Sequence, residues 1–97
     1  MSLQTLRFRV IDRVQGVGFR AYVRTRALEM GATGVVANCP DGSVQGTITL
    51  SEGLLPFFQE ALRTGPPGAR VDALEIEAAD PCPGGVGEGF RIEKDCL

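Results

Sequence analysis

A short segment at residues 13–20, which reads RVQGVGFR, holds the residues best suited to chemistry in this chain. Gly16 and Gly18 tolerate positive φ angles, so consecutive backbone N–H groups there can turn inward and bind an anion. The segment leads into a predicted helix, whose N-terminus favours negative charge. Arg20 adds a planar guanidinium that matches the oxygens of a phosphate or carboxylate group. The segment therefore predicts an anion site.

A second polar residue of interest, Asn38, follows Arg20 by eighteen residues and is the only asparagine of the chain. Its side chain has both a donor and an acceptor, which is enough to orient a water molecule. Each feature also has an ordinary explanation: Gly-x-Gly pairs are common in turns, helical arginines are usually solvated, and asparagines often form turns. The combination of all of them favours a phosphate site.

Composition limits the chemistry that such a site can use. The chain has 97 residues, no histidine and a single lysine, Lys94. Without histidine, the commonest general base and the Ser-His and Cys-His pairs are absent. Without a lysine beside the glycines, a Walker-type phosphate loop is excluded. We therefore expect any chemistry to be carried out by arginine, carboxylates, the single asparagine, hydroxyls, thiols and backbone groups.

Charge and hydropathy indicate which partners to expect. The net charge of −2 argues against bulk attraction to nucleic acid or anionic membranes. No apolar run approaches the ~20 residues of a membrane span, and the N-terminus lacks a signal pattern. We expect a monomeric, cytoplasmic protein with one domain over residues 1–97. We interpret Cys39, Cys82 and Cys96 as free thiols of a reducing compartment, and Cys39 as a packing residue rather than a nucleophile.

The hydrophobic pattern predicts the element order β-α-β-β-α-β, followed by a short last strand. An apolar stripe of Phe19, Val23, Ala27 and Met30 marks the first helix. This order is typical of the ferredoxin-like α+β fold, a sandwich with two helices on one face of an antiparallel sheet. The predicted strands are 3–11, 34–39, 43–50, 71–77 and 90–93, and the predicted helices are 19–30 and 51–63.

This topology places the two candidate groups close together. A right-handed crossover makes the first and second strands parallel, so their carboxyl ends lie at the same edge of the sheet. One intervening strand leaves a gap of about 10 Å between them. We therefore expect Arg20 and Asn38 to be neighbours across a small cleft.

The motifs resemble the signature of the acylphosphatase family. DRVQGVGFR is similar to the family's loop, and GVVAN carries its asparagine at the family's spacing. DGSVQG and TGPPGARVDALEIE extend the resemblance over nearly the whole chain. Three features depart from the pattern. Asp12 stands where the family usually has glycine, Val35 replaces a tryptophan, and the tail EKDCL at 93–97 extends past the usual end.

The resemblance implies a ferredoxin-like enzyme that hydrolyses acyl phosphates to a carboxylate and inorganic phosphate without metal or cofactor. It implies that Asn38 positions the attacking water, and that phosphate is both product and inhibitor. A non-catalytic phosphate or acyl-phosphate binding module of the same fold is the alternative. An RNA-binding sheet lacks support, because exposed aromatic pairs are missing. The implied phosphoryl-binding groups are Arg20 and the backbone amides of Gln15, Gly16, Val17, Gly18 and Phe19.

Overall fold

The computed structural model describes residues 2–13, 15, 16, 18–79 and 89–93. Within these residues the chain forms five strands, two α-helices and one 3₁₀ turn at Glu52–Leu54. No helix among them is long and apolar enough to cross a membrane. The strands are β1 (Leu3–Arg13), β2 (Thr33–Asn38), β3 (Val44–Ser51), β4 (Arg70–Ala78) and β5 (Phe90–Glu93), and the helices are α1 (Phe19–Glu29) and α2 (Leu55–Thr64).

The strands form one sheet in the order β4-β1-β3-β2-β5. β1 pairs antiparallel with β3 and β4, and β2 pairs antiparallel with β3. β5 pairs parallel with β2, so the sheet is mixed rather than fully antiparallel. The reason is that β5 runs opposite to β4 but lies at the other edge, beside a strand of its own direction. The predicted ferredoxin-like sandwich is confirmed, with this one difference in the final strand.

The core lies between one face of the sheet and the two helices. The predicted stripe of α1 is confirmed for Phe19, Val23 and Ala27, which are buried, whereas Met30 is the C-cap and is half-buried against the core. The ring of Phe8 in β1 meets that of Phe58 in α2 edge-on, with 5.4 Å between ring centroids. A Cβ atom on residue 46 would lie 2.7 Å from Phe8 and would also collide with the backbone, so only glycine fits beneath this ring.

The pairing of β4 with β1 contains a β-bulge. Ile11 pairs with Ala73 and Asp12 pairs with Val71. Asp72, which lies between these two partners on β4, therefore has no paired residue on β1. As a result Val71 and Leu74 both pack against the core. β1 continues to Arg13, two residues past its predicted end, because Asp12 and Arg13 still pair with β4; the sequence pattern ends earlier, since Asp12 is polar where the apolar alternation would continue.

The strands predicted at 34–39 and 43–50 form a hairpin around residues 40–42, which read PDG. Gly42 N–H donates to the carbonyl of Cys39 at 3.0 Å, and Cys39 N–H donates to the carbonyl of Ser43 at 2.8 Å. Gly42 has a φ of 92°, which disfavours other residues. The tight turn fixes the position of Asn38, which is the last residue of β2.

Candidate active site

The loop between β1 and α1 presents an open helix N-terminus. Gly16 and Gly18 both have a φ of 77°. Gly18 is the N-cap of α1; it provides no side-chain cap, and no acidic residue lies in the first turn. The N–H of Tyr22 makes the first helical hydrogen bond, to the carbonyl of Gly18 at 3.0 Å. The N–H groups before it are therefore left without a side-chain acceptor, which is the arrangement that binds anions.

A cavity of about 180 Å³ lies at this helix start. Its polar groups come from two distant parts of the sequence: Arg20 at the first turn of α1 and Asn38 at the end of β2. This confirms that the fold brings Arg20 and Asn38 to one cleft. The cavity is lined by Gly16, Gly18, Phe19, Arg20, Ala21, Asn38 and Ile92.

The sheet topology accounts for this meeting. β3 lies between β1 and β2, as predicted, so the carboxyl ends of β1 and β2 are separated by one strand. Val36 is fully buried on the helix-facing side of β2. Because side chains alternate along a strand, Asn38 lies on that same side. Its amide therefore faces the start of α1 rather than the open face of the sheet.

Arg20 is held from the side of β5. Its Nη1 donates to the carbonyl of Glu93 at 3.4 Å, a long contact. One helical turn later, the Nε of Arg24 donates to the carbonyl of Phe90 at 2.9 Å. In the part of the chain that the structure describes, no carboxylate forms an ion pair with Arg20. Its charge is thus available to an anion in the cavity.

The side chain of Gln15 makes two hydrogen bonds that the sequence did not indicate. Its Nε2 donates to the carbonyl of Cys39 at 2.7 Å and to the carbonyl of Ser43 at 3.0 Å. These bonds connect the glycine loop directly to the hairpin that begins after Asn38. The sequence shows only that a glutamine stands in the RVQGVGFR motif. It does not indicate these hydrogen bonds, because both acceptors are backbone carbonyls more than twenty residues away. Gln15 fixes the relative position of the two halves of the site.

The hairpin itself is braced by Asp41. Its carboxylate accepts hydrogen bonds from the Ser43 hydroxyl at 2.6 Å, the Ser43 N–H at 2.9 Å and Arg9 at 2.6 Å. These donors, the Ser43 hydroxyl first and Arg9 next, hold the pKa of Asp41 well below its usual value. Arg9 also donates to Glu75 at 2.9 Å, and its hydrogen bonds to Asp41 and Glu75 raise its pKa. The turn after Asn38 is thereby anchored to β1.

Cys39 corrects one expectation. It is buried, with 4% of its surface exposed, as expected of a packing residue. It is however disulfide-bonded, so the prediction of three free thiols is wrong for this residue. Sequence spacing could not indicate this bond, since the pairing of cysteines follows from their distance in the fold. The other two, Cys82 and Cys96, lie outside the described residues.

Several other expectations concern groups that the structure does not describe. These are the position of Val17, the side chain of Asp12 and the tail after Glu93. Val35 is half-buried and pairs with Thr47 and Arg91. Among the described residues, no group of three or more His, Cys, Asp or Glu side chains is placed to hold a metal ion.

The fold and the cavity together define a class: a ferredoxin-like α+β protein with a cavity at one sheet edge that Arg20 and Asn38 line. The chain matches the acylphosphatase family over residues 6–92, and it belongs to that family. The resemblance noted in the sequence is thus confirmed.

Individual relatives agree with this membership. An acylphosphatase of Rhizobium etli is 45% identical over 76 residues, which cover 78% of this chain and 81% of the relative. The crystal structure of acylphosphatase from Bacillus subtilis superposes with a TM-score of 0.85 at 33% identity, covering 95% of this chain and 99% of that one. Full-length HypF has the same fold, with a TM-score of 0.85, 21% identity and coverage of 97% of this chain but 12% of its own.

Proposed function

We propose that this chain is an enzyme that hydrolyses acyl phosphates to a carboxylate and inorganic phosphate. The main observation behind this proposal is that Arg20 and Asn38 line one cavity. Gly16 and Gly18, which have positive φ angles, line the same cavity at the uncapped N-terminus of α1. Membership of the acylphosphatase family supports the acyl phosphate class of substrate. The relatives of this chain that bear the name acylphosphatase support catalysis rather than binding alone.

The phosphoryl group of the substrate occupies the helix start. Its oxygens accept hydrogen bonds from the Arg20 guanidinium and from backbone N–H groups between Gln15 and Phe19. These donors are fixed before the reaction, so they stabilise charge on the phosphoryl oxygens in the transition state without reorganising.

Asn38 holds the nucleophile. Its side-chain oxygen accepts a hydrogen bond from a water molecule, which attacks phosphorus in line with the bond to the acyl oxygen. The new P–O bond forms as the old one breaks, the bonding electron pair leaves with the carboxylate, and the water transfers a proton to a non-bridging oxygen of the phosphoryl group, which acts as the weak base. An acyl phosphate is a mixed anhydride with a good leaving group, so a weak base suffices. Positioning and charge stabilisation therefore supply the catalysis.

Kinetics with benzoyl phosphate test this proposal. We expect turnover that is the same with and without a chelator, and far slower turnover of p-nitrophenyl phosphate, which lacks the anhydride. In ¹⁸O-labelled water the label should enter inorganic phosphate, as measured by mass spectrometry. Label in benzoate would show attack at the carbonyl carbon. Phosphate binding without any turnover would favour the alternative of a non-catalytic binding module, which none of the comparisons supports.

We also propose that inorganic phosphate inhibits competitively by binding at Gly16, Gly18 and Arg20. Chemical-shift mapping with phosphate should move the amide signals of these residues, whereas shifts confined to β4 would contradict the assignment.

The chain is proposed to act as a monomeric single domain that needs no cofactor and binds neither nucleic acid nor membranes. Sedimentation at increasing protein concentration tests the monomer.

A cytoplasmic location is the remaining part of the proposal. The disulfide at Cys39 bears on it, because disulfides persist mainly in oxidising compartments. Burial of Cys39 slows its reaction with cellular reductants and oxidants alike. Cell fractionation tests the location: protein recovered in the cytoplasmic fraction with the Cys39 disulfide intact agrees with the proposal, and protein recovered only from an oxidising compartment contradicts it.

A further inference from the structure

Ile92 is a large apolar side chain that the fold leaves uncovered at the cavity. It pairs with Val36 in the parallel ladder between β5 and β2, so it lies on the helix-facing side of the sheet. Phe90, two residues earlier on that side, is only 2% exposed. Ile92 is 41% exposed and lines the cavity beside Arg20 and Asn38.

The cavity lining is divided into two chemical parts. The glycines, Arg20 and Asn38 supply N–H groups and one positive charge, which suit a phosphoryl group. The other side chains at the lining are apolar, and of these Ala21 and Ile92 are exposed. In the described part of the chain no carboxylate and no second cation line the cavity. Beyond the phosphoryl group, a ligand therefore meets hydrocarbon surface.

We infer that Ile92, together with Ala21, forms the contact surface for the acyl group and favours substrates whose acyl group is apolar, such as an aromatic or branched aliphatic one. This inference rests on the proposed function, since the acyl group is attached to the phosphoryl group and must occupy what remains of the cavity. Covering the exposed part of Ile92 with hydrocarbon removes apolar surface from water, which a short or charged acyl group cannot do.

Exposed apolar side chains elsewhere supply a matched control. Leu28 is 42% exposed, nearly the same fraction as Ile92, and it lies on α1, the helix that also carries Arg20. Leu28 follows Arg20 by eight residues, which places it about 12 Å further along the axis of the helix. Leu28 does not line the cavity, so truncating it removes a comparable exposed surface away from the site.

The experiment measures kcat and KM for acetyl phosphate and benzoyl phosphate in the wild type, Ile92→Ala, Ile92→Thr and Leu28→Ala. The ratio of kcat/KM for benzoyl over acetyl phosphate should fall about three- to ten-fold in Ile92→Ala, mainly through a higher KM for benzoyl phosphate. Ile92→Thr keeps the β-branched shape that suits a strand and should give a smaller fall in the same direction. Leu28→Ala should keep the wild-type ratio.

An unchanged ratio in both Ile92 variants would overturn the inference. So would an equal loss on both substrates together with weaker inhibition by phosphate, because that result places Ile92 in general support of the site. In either case the wild-type enzyme would still be active and the proposed function would stand. A wild-type protein inactive on both substrates would instead overturn the proposed function.

Discussion

At the scale of single residues, the proposed site brings together Arg20 and Asn38, which line one cavity although eighteen residues separate them in the chain. Both could be predicted from the sequence, because a glycine loop before a helix and a strand-end asparagine have recognisable local patterns. Ile92 could not be singled out, since an isoleucine in a strand gives no sign of whether the fold covers it.

Replacing Arg20 by lysine tests whether the guanidinium is needed or only its charge. We expect phosphate affinity and turnover to fall together, by about 10²-fold in turnover, because lysine offers one compact charge in place of two parallel donors. Thermal melting should change little, as Arg20 lies off the buried stripe of α1. Benzoyl phosphate kinetics and melting of Arg20→Lys provide the measurement.

Arg26→Lys is the matched control on the same helix, where Arg26 forms an exposed ion pair with Glu29 at 3.1 Å. It should keep wild-type kinetics. Wild-type kinetics in Arg20→Lys as well would reduce Arg20 to a solvated surface residue.

At the scale of elements, the loop before α1 and the hairpin after β2 act as one unit because Gln15 connects them. The elements themselves were largely predictable. Apolar periodicity indicated α1, the strands at 34–39 and 43–50 became the hairpin of β2 and β3, and the strand at 90–93 was predicted with the bounds found. The Gln15 bonds were not predictable, because their acceptors are backbone carbonyls brought close only by the sheet pairing.

Gln15→Glu tests this connection with a side chain of nearly the same shape. The glutamate has no N–H to donate, so the carbonyls of Cys39 and Ser43 each lose one of two donors and face a carboxylate instead. We expect a stability loss of about 1–3 kcal/mol in denaturant unfolding, together with reduced phosphate affinity and turnover. Gln4→Glu, at the other end of β1, should behave as the wild type. Full activity and stability in Gln15→Glu would show that the loop holds its shape alone.

At the scale of the whole molecule, long-range contacts hold the site edge together. β5 at one edge meets α1 through Arg20 and Arg24, and Arg9 of β1 connects Asp41 of the hairpin to Glu75 of β4. The sequence predicted the layers, because their apolar faces must be buried. It could not predict the parallel pairing of β5 or the disulfide at Cys39, which depend on where distant segments meet.

Acid should reveal the contribution of Asp41. Its folded pKa is depressed, so its contribution to stability is present above its ordinary pKa of 3.8 and is lost as pH falls toward the folded value. The melting midpoint of the wild type should therefore approach that of Asp41→Asn as the pH is lowered from about 5 to about 2.5. Melting curves across this range provide the measurement. Two curves that stay parallel throughout would contradict the assignment.

In the proposed mechanism Arg20 binds the phosphoryl group and Asn38 positions the water. The Asn38→Ala variant tests these separate roles most directly when benzoyl phosphate turnover and inhibition by inorganic phosphate are both measured. We predict that kcat falls by about 10²–10³-fold, because the attacking water loses its partner, whereas the inhibition constant for phosphate changes by less than about three-fold. Thr33→Ala, at the opposite end of β2, should leave both unchanged. Near-wild-type kcat in Asn38→Ala, or a loss of phosphate binding that matches the loss of turnover, would contradict the account.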